Sequence, residues 1–349
     1  MRTPSLGQVA LPVIAVTTAI GLLATAGMEP VGAQARTCAA ATPDCLGWVA
    51  TGPGPDRLRV YRSHAMDQAN PAIRRGLVVV HGGGRDADGM FRSGLAAAFL
   101  AGELDATLVV APRFASNQGG SECRDTLADG EIGWGCAGWR WGGPAASSDR
   151  VTSFDALDDT LKQLARKDVF PNLRAIVVAG FSAGGQYVVR YAMANRVHDT
   201  LGVPVSYVVG SPSSYAYPDA ARPDAQDGSF QPFIDGQNCT TYHRWPYGMQ
   251  NRAGYAAALT DEQLRSQLVT RPITYLLGGM DTTPEFGFDS TCPAMAQGAS
   301  RLSRGQSFMK LMTEKYGAKH RLLVARTCGH SGRCVFTDEV ALPVLIPKG

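Results

Sequence analysis

Short apolar runs, most of them rich in valine and closed by glycine or proline, recur along the chain at Leu77 to Val80, Leu108 to Ala111, Ile176 to Ala179, Val205 to Val209, Ile273 to Leu277 and Leu322 to Ala325. Runs that are apolar at every position suit strands buried on both faces of a parallel sheet. Leu58 to Tyr61 predicts an earlier, antiparallel strand. Between the runs the period changes. Val151, Phe154, Leu157, Leu161 and Leu164 recur at steps of three and four, which places them on one face of a helix. Asp155, Asp158 and Asp159 stand near the start of that segment, where carboxylates suit the positive helix end. Thr260 with Gln263 has the form of a capping box opening a second helix, and a third is predicted from about Arg301 to Tyr316. Alternation of strands and helices predicts an α/β fold: a mostly parallel central sheet with helices on both faces.

Two stretches break this rhythm. Residues 113–149 form a glycine-rich segment with Trp134, Trp139, Trp141 and two cysteines, and residues 211–255 are rich in Pro, Asp, Tyr and Gly. Segments this long without periodic structure are usually functional or disordered, and their aromatic content argues against disorder. They are read as insertions over the C-terminal edge of the sheet. Trp134, Trp139, Trp141 and Trp245, with Tyr242 and Tyr247, are the candidates for substrate recognition.

The first 35 residues have the build of a signal peptide: Arg2, an apolar stretch from Val9 to Ala26, and Ala33-Gln34-Ala35 as the cleavage site. A membrane anchor is the alternative for an apolar stretch of that length, but no basic stop-transfer cluster follows it. The expected organisation is therefore a leader over 1–35 and a single domain over 36–349, secreted or periplasmic. Eight cysteines in the remaining chain agree with an oxidising compartment. Neighbour order suggests the pairs Cys38–Cys45, Cys123–Cys136, Cys239–Cys292 and Cys328–Cys334. A metal site from Cys328, His330 and Cys334 lacks a fourth nearby ligand, and no metal or cofactor is expected. The 349 residues carry a formal net charge of only +3 and no Lys/Arg run, which gives no argument for nucleic acid or a membrane surface as partner.

The chemistry is concentrated in four places. Gly180-Phe181-Ser182-Ala183-Gly184 is the single G-x-S-x-G of the chain. It follows one strand and precedes a helical stretch, the context of a nucleophile elbow with Ser182 as nucleophile. His81-Gly82-Gly83-Gly84 follows the strand at Leu77 to Val80. Acyl transfer needs two backbone donors for the oxyanion, and these are assigned to Ala183 and Gly83, with Gly84 as fallback. A phosphate loop fails on pattern there, and His81 is read as structural. Among six histidines only His330 stands just after the last strand, as the order Ser, acid, His requires. Asp281, just past the strand at Ile273 to Leu277, is the orienting acid, with Asp289 as fallback.

Together the strand–HGGG start, the GFSAGG elbow, the acid after a late strand and the terminal GHSG turn resemble the α/β-hydrolase superfamily from about Leu58 to Phe336. Within it the chain is most similar to secreted bacterial esterases related to polyhydroxyalkanoate depolymerases and feruloyl or acetylxylan esterases. It departs from tannase-like feruloyl esterases, because Phe181 rather than cysteine precedes Ser182. The resemblance implies hydrolysis of a small or polymeric ester through an acyl-enzyme without a cofactor. The alternatives are a peptidase or amidase on the same fold and a catalytically inactive binding protein.

Overall fold

The computed structural model describes Met1 and residues 38–233, 239–284 and 287–348. The expected signal peptide, with its cleavage site, lies outside the described residues apart from Met1.

Eight strands form the main sheet: β1 (Leu46–Ala50), β2 (Arg57–Arg62), β3 (Arg75–Val80), β4 (Thr107–Pro112), β5 (Ala175–Phe181), β6 (Val205–Gly210), β7 (Ile273–Gly278) and β8 (Arg321–Ala325). Their spatial order is β1-β2-β4-β3-β5-β6-β7-β8. β2 pairs antiparallel with both of its neighbours, and every other pairing is parallel. Besides the single turns Cys292–Met295 and Leu342–Leu345, the helices among the described residues are α1 (Ala87–Leu100), α2 (Ser153–Leu164), α3 (Ala183–Ala194), α4 (Asp261–Thr270), α5 (Arg301–Glu314) and α6 (Gly332–Thr337).

The two-residue repeat of the strands divides the core between the two sheet faces. Val78 and Val80 of β3 join Phe154, Leu161, Tyr187, Leu264 and Phe308 from α2 to α5. Leu77 and Val79 of the same strand join Phe91, Leu95 and Phe336 from α1 and α6. All six residues of β3 are buried, and so are all six of β4 and β7, as layers of helices on both faces require. Thr152 caps α2 in a reciprocal bond with Asp155, and Thr260 does the same for α4 with Gln263.

Part of this was not expected from the sequence. β1 is short and carries Gly47 beside Trp48, so it lacks an apolar run. In α1 alanine and glycine occupy six of the fourteen positions, which blurs the apolar stripe. The four disulfides join the cysteines in neighbour order, with Cα–Cα separations of 5.6, 5.5, 5.9 and 5.7 Å.

The segment 113–149 packs inward more than the sequence suggested. Ser116–Gln118 pairs with Trp134–Gly135, and Gly138–Trp141 forms a 3₁₀ turn. Trp134 and Trp139 are fully buried, their rings packed on Phe114, and Trp139 also lies against His81 and Tyr187. Trp245 is buried as well and donates its ring N–H to the Trp141 carbonyl at 3.2 Å. These three tryptophans serve as packing for the loops, because a buried indole removes a large apolar surface from water. With Trp134 and Trp139 at 0% exposure and Trp245 at 9%, little of these rings is left to meet a substrate, contrary to the expectation for them.

Candidate active site

β5 runs directly into Ser182 and α3 leaves directly after it. Ser182 sits at φ 58°, ψ −117°, a conformation that L-residues adopt only when held there, at a cost of about 1–3 kcal/mol. The turn is held by close approach on both sides. A Cβ on Gly180 would stand 2.3 Å from the Gly184 carbonyl, and one on Gly184 would stand 2.3 Å from that of Val80. The Ser182 N–H donates to the Gly210 carbonyl at 2.9 Å, which ties the turn to β6.

The loop after β8 brings His330 to this turn. Its Nε2 lies 2.9 Å from Ser182 Oγ and its Nδ1 lies 2.7 Å from Asp281 Oδ2. An ionised carboxylate can only accept, so Nδ1 carries the proton and Nε2 is left to accept from the serine hydroxyl. The imidazole packs on the Phe181 ring, with centroids 4.8 Å apart. Cys328–Cys334 brackets the His330 turn, and Ser331 caps α6 immediately after it. The acid loop is pressed onto the same turn: a Cβ on Gly278 would meet the Gly329 carbonyl at 2.6 Å, and the Met280 N–H donates to the Cys328 carbonyl at 2.9 Å. Asp281 is buried, and its second oxygen lies 3.4 Å from Nη1 of the buried Arg301. Arg301 also donates from Nε to Ser213 Oγ at 2.9 Å.

The glycines after β3 lie beside the serine. A Cβ on Gly82 would stand 3.7 Å from Ser182 Cβ. His81 fixes this loop from below. Its Nε2 accepts the Phe114 N–H at 2.9 Å, so Nδ1 carries the proton and donates to the Gly82 carbonyl at 2.9 Å. Burial pushes its imidazole down to about 4, against the upward pull of the Gly82 bond, so it is neutral near pH 7. Ala183 is the first residue of α3, and its N–H has no helical carbonyl four residues back to bond.

One helical turn beyond Ser182, at Gln186, lies a cavity of about 390 Å³, whose lining includes Arg140, Trp141, Arg190, Tyr247 and Asp289 but none of Ser182, Asp281, His330 or the glycine loop. Of the four tryptophans proposed from sequence, only Trp141 reaches it. Asp289, the fallback acid, bonds Tyr247 Oη at 2.8 Å and Thr291 Oγ1 at 2.6 Å, whereas His330 takes Asp281. Gln186, Arg190, Arg140 and Arg301 were not found by sequence reasoning. Gln186 had a usable signal, since it stands one helical turn after Ser182. A larger cavity of about 670 Å³, near Arg222, Phe233 and Met295, includes none of these residues. Among the described residues, no group of three His, Cys, Asp or Glu is placed to hold a metal, and no helix is long and apolar enough to cross a membrane.

Residues 77–341 match the family described as "Alpha/beta hydrolase family". Among solved structures the chain is similar to LpqC, a poly(3-hydroxybutyrate) depolymerase from Bordetella parapertussis, with a TM-score of 0.56 and 19% identity over 83% of this chain and 84% of that one. It is likewise similar to poly(aspartic acid) hydrolase-1 from Sphingomonas sp. KT-1, with a TM-score of 0.58 and 21% identity over 86% of this chain and 98% of that one. At these identities the likeness is one of fold. The chain matches no protein with a curated description.

Proposed function

The chain belongs to the alpha/beta hydrolase family, and from that premise we propose that it is an exported serine hydrolase that cleaves carboxylic esters through an acyl-enzyme. The observation that carries this reading is the unbroken hydrogen-bonded series from Ser182 through His330 to Asp281, at a strained strand-to-helix turn. Ser182 Oγ attacks the ester carbonyl carbon while His330 Nε2 takes the hydroxyl proton. The N–H groups of Ala183 and Gly83 receive the negative oxygen of the tetrahedral intermediate. Collapse breaks the ester C–O bond, and the imidazolium returns its proton to the departing alcohol. His330 then deprotonates a water, which attacks the acyl-enzyme, releases the acid and restores Ser182. Asp281 keeps the imidazole in the productive tautomer and stabilises its cation, and the Arg301 guanidinium beside the other oxygen keeps that carboxylate in place.

Trp141 and Tyr247, with Phe288, are the aromatic side chains placed to contact substrate in the cavity. The proposed substrate is a small or polymeric ester. Residues 1–35 are read as a leader removed on export and 36–349 as the working domain, a reading that four disulfides favour. N-terminal sequencing of the exported protein is expected to begin at Arg36.

The test of the reaction is hydrolysis of short p-nitrophenyl esters by the purified protein. Ser182→Ala is expected to lower kcat by about a thousandfold or more. A loss of only two- or threefold would overturn the assignment. A fluorophosphonate probe should label the wild-type serine and leave Ser182→Ala unlabelled.

A further inference from the structure

Among the described residues, Arg140 and Arg62 are the partly buried arginines whose guanidiniums form neither an ion pair nor a hydrogen bond, and of the two only Arg140 lines the cavity. Arg75, Arg85, Arg113 and Arg301 each have a carboxylate within ion-pair distance. Arg190, Arg222, Arg271 and Arg304 each bond backbone carbonyls. Arg140 has neither: among the described residues its guanidinium makes no ion pair, and its Nε is buried without a hydrogen-bond partner. It projects from the 3₁₀ turn Gly138–Trp141 into the wall of the cavity at Gln186. There its Nη2 lies 4.0 Å from the point where a Cβ on Gly83 would stand. Gly83 is the neighbour of Gly82, where an added Cβ would stand 3.7 Å from Ser182 Cβ, so the guanidinium lies close to the glycine loop beside the nucleophile.

The charge of the described lining is unbalanced. It holds the guanidiniums of Arg140 and Arg190 against one carboxylate, that of Asp289. Asp289 lies close enough to act on Arg140 through space, but its oxygens are engaged by Tyr247 and Thr291. Arg190 is spent on Pro246 O, Gln186 O and Ser214. Among the described residues one positive charge remains without a carboxylate partner, its guanidinium lying 5.9 Å from the Trp139 ring centroid. Burial pushes the Arg140 guanidinium down from the usual arginine value, and Asp289 acts to raise it again. An arginine nonetheless stays charged in a protein, and leaving it half-buried and unpaired is costly unless a ligand supplies the partner.

We infer that Arg140 selects esters that carry a carboxylate near the scissile bond, binding that carboxylate in the cavity between Trp141 and Tyr247. This rests on the ester hydrolysis proposed at Ser182. The planar fork of a guanidinium matches the two oxygens of a carboxylate. A single unbalanced charge fits a monoanion better than a phosphate monoester, which brings close to two charges.

The experiment compares wild-type, Arg140→Gln and Arg140→Lys proteins on two matched ester pairs. Mono-p-nitrophenyl adipate against p-nitrophenyl hexanoate places the charge on the acyl side. 4-Acetoxybenzoate against phenyl acetate places it on the alcohol side. Each rate is normalised to hydroxide-catalysed hydrolysis of the same ester. The wild-type protein is expected to favour the charged member of at least one pair by about tenfold in kcat/KM, chiefly through KM. Arg140→Gln is expected to abolish that preference, and Arg140→Lys to retain part of it as a point charge. Because the readout is a ratio, loss of folded protein cancels. A wild-type ratio near one in both pairs, or an unchanged ratio in Arg140→Gln, overturns the inference. Fluorophosphonate labelling separates the two levels. A labelled Ser182 without carboxylate preference removes only the role of Arg140, whereas an unreactive Ser182 removes the reading beneath it.

Discussion

Asp281 divides its two oxygens between an imidazole at 2.7 Å and a guanidinium at 3.4 Å. That division supports it, rather than Asp289, as the carboxylate proposed to hold the His330 tautomer. Asp281→Asn is expected to lower kcat by about 10⁴ on a p-nitrophenyl ester, since an amide in that place can present its N–H₂ to Nδ1 and turn the proton to the wrong nitrogen. Asp289→Asn should keep the greater part of the activity. Equal losses in the two variants would show that the acid has been misplaced. Ser182, His330 and Asp281 were all legible in the sequence, because each is flagged by its immediate neighbours: a glycine-framed serine, a histidine after the last apolar run, an aspartate just past a strand. Arg301 and Arg140 were not. Their importance comes from what the fold sets opposite them, Asp281 for one and the loop of Gly83 for the other, and no local pattern encodes that. The tryptophans misled for the opposite reason. Their number suggested a binding surface, but most of those indoles are consumed in packing the loops.

The elbow shows how a strand and a helix are joined too closely for side chains. Gly184, in the first turn of α3, lies against the end of β3, and a Cβ there would stand 2.3 Å from the Val80 carbonyl and 2.6 Å from that of His81. Both obstacles are backbone, so neither can rotate aside. Gly184→Ala is expected to destabilise the protein by about 3 kcal/mol or more, because β3 or α3 must move. The shift would also displace the glycine loop that follows His81, and activity should fall beyond what the remaining folded fraction explains. Gly138→Ala, where the added methyl meets nothing within 4 Å, should stay within about 0.5 kcal/mol. Thermal melts of both variants check the pair, and equal melting points would contradict the packing argument. The same closeness explains what could be read of the elements from sequence. Strands buried on both faces announce themselves as unbroken apolar runs, and capped helices such as α2 and α4 announce their starts. In α1 six of the fourteen residues are alanine or glycine, and its apolar face is defined by the sheet beneath it rather than by contrast within its own sequence.

Buried ionisable groups couple the stability of the folded domain to pH. Burial pushes the imidazoles of His81 and His320 down to about 4, each against a backbone bond that acts to raise it. His64, His198 and His243 shift in the same direction, again mainly through burial. A histidine with a depressed folded value stabilises the fold fully above about 6.5, and that contribution is lost as pH falls toward 4, because the unfolded chain binds the proton first. Asp158 runs the other way. Burial pushes its carboxyl up to about 6, although hydroxyls of Tyr191 and Tyr255 bond it at 2.7 and 2.6 Å. Its folded form takes a proton before its unfolded form does, so it adds stability as pH falls from about 6 toward 3.8. Each of these three shifts is worth on the order of 3 kcal/mol. Two strong histidines, reinforced by three weaker ones, therefore outweigh one aspartate. The protein is expected to lose stability between pH 7 and pH 4, measured as a falling urea midpoint. Asp158→Asn removes the opposing group and should steepen that loss by about 3 kcal/mol over the same range. His320→Gln should make the loss shallower by a similar amount. A shallower loss in Asp158→Asn would mean that the carboxyl between the two tyrosines is ionised at pH 4, and that hydrogen bonding rather than burial governs it.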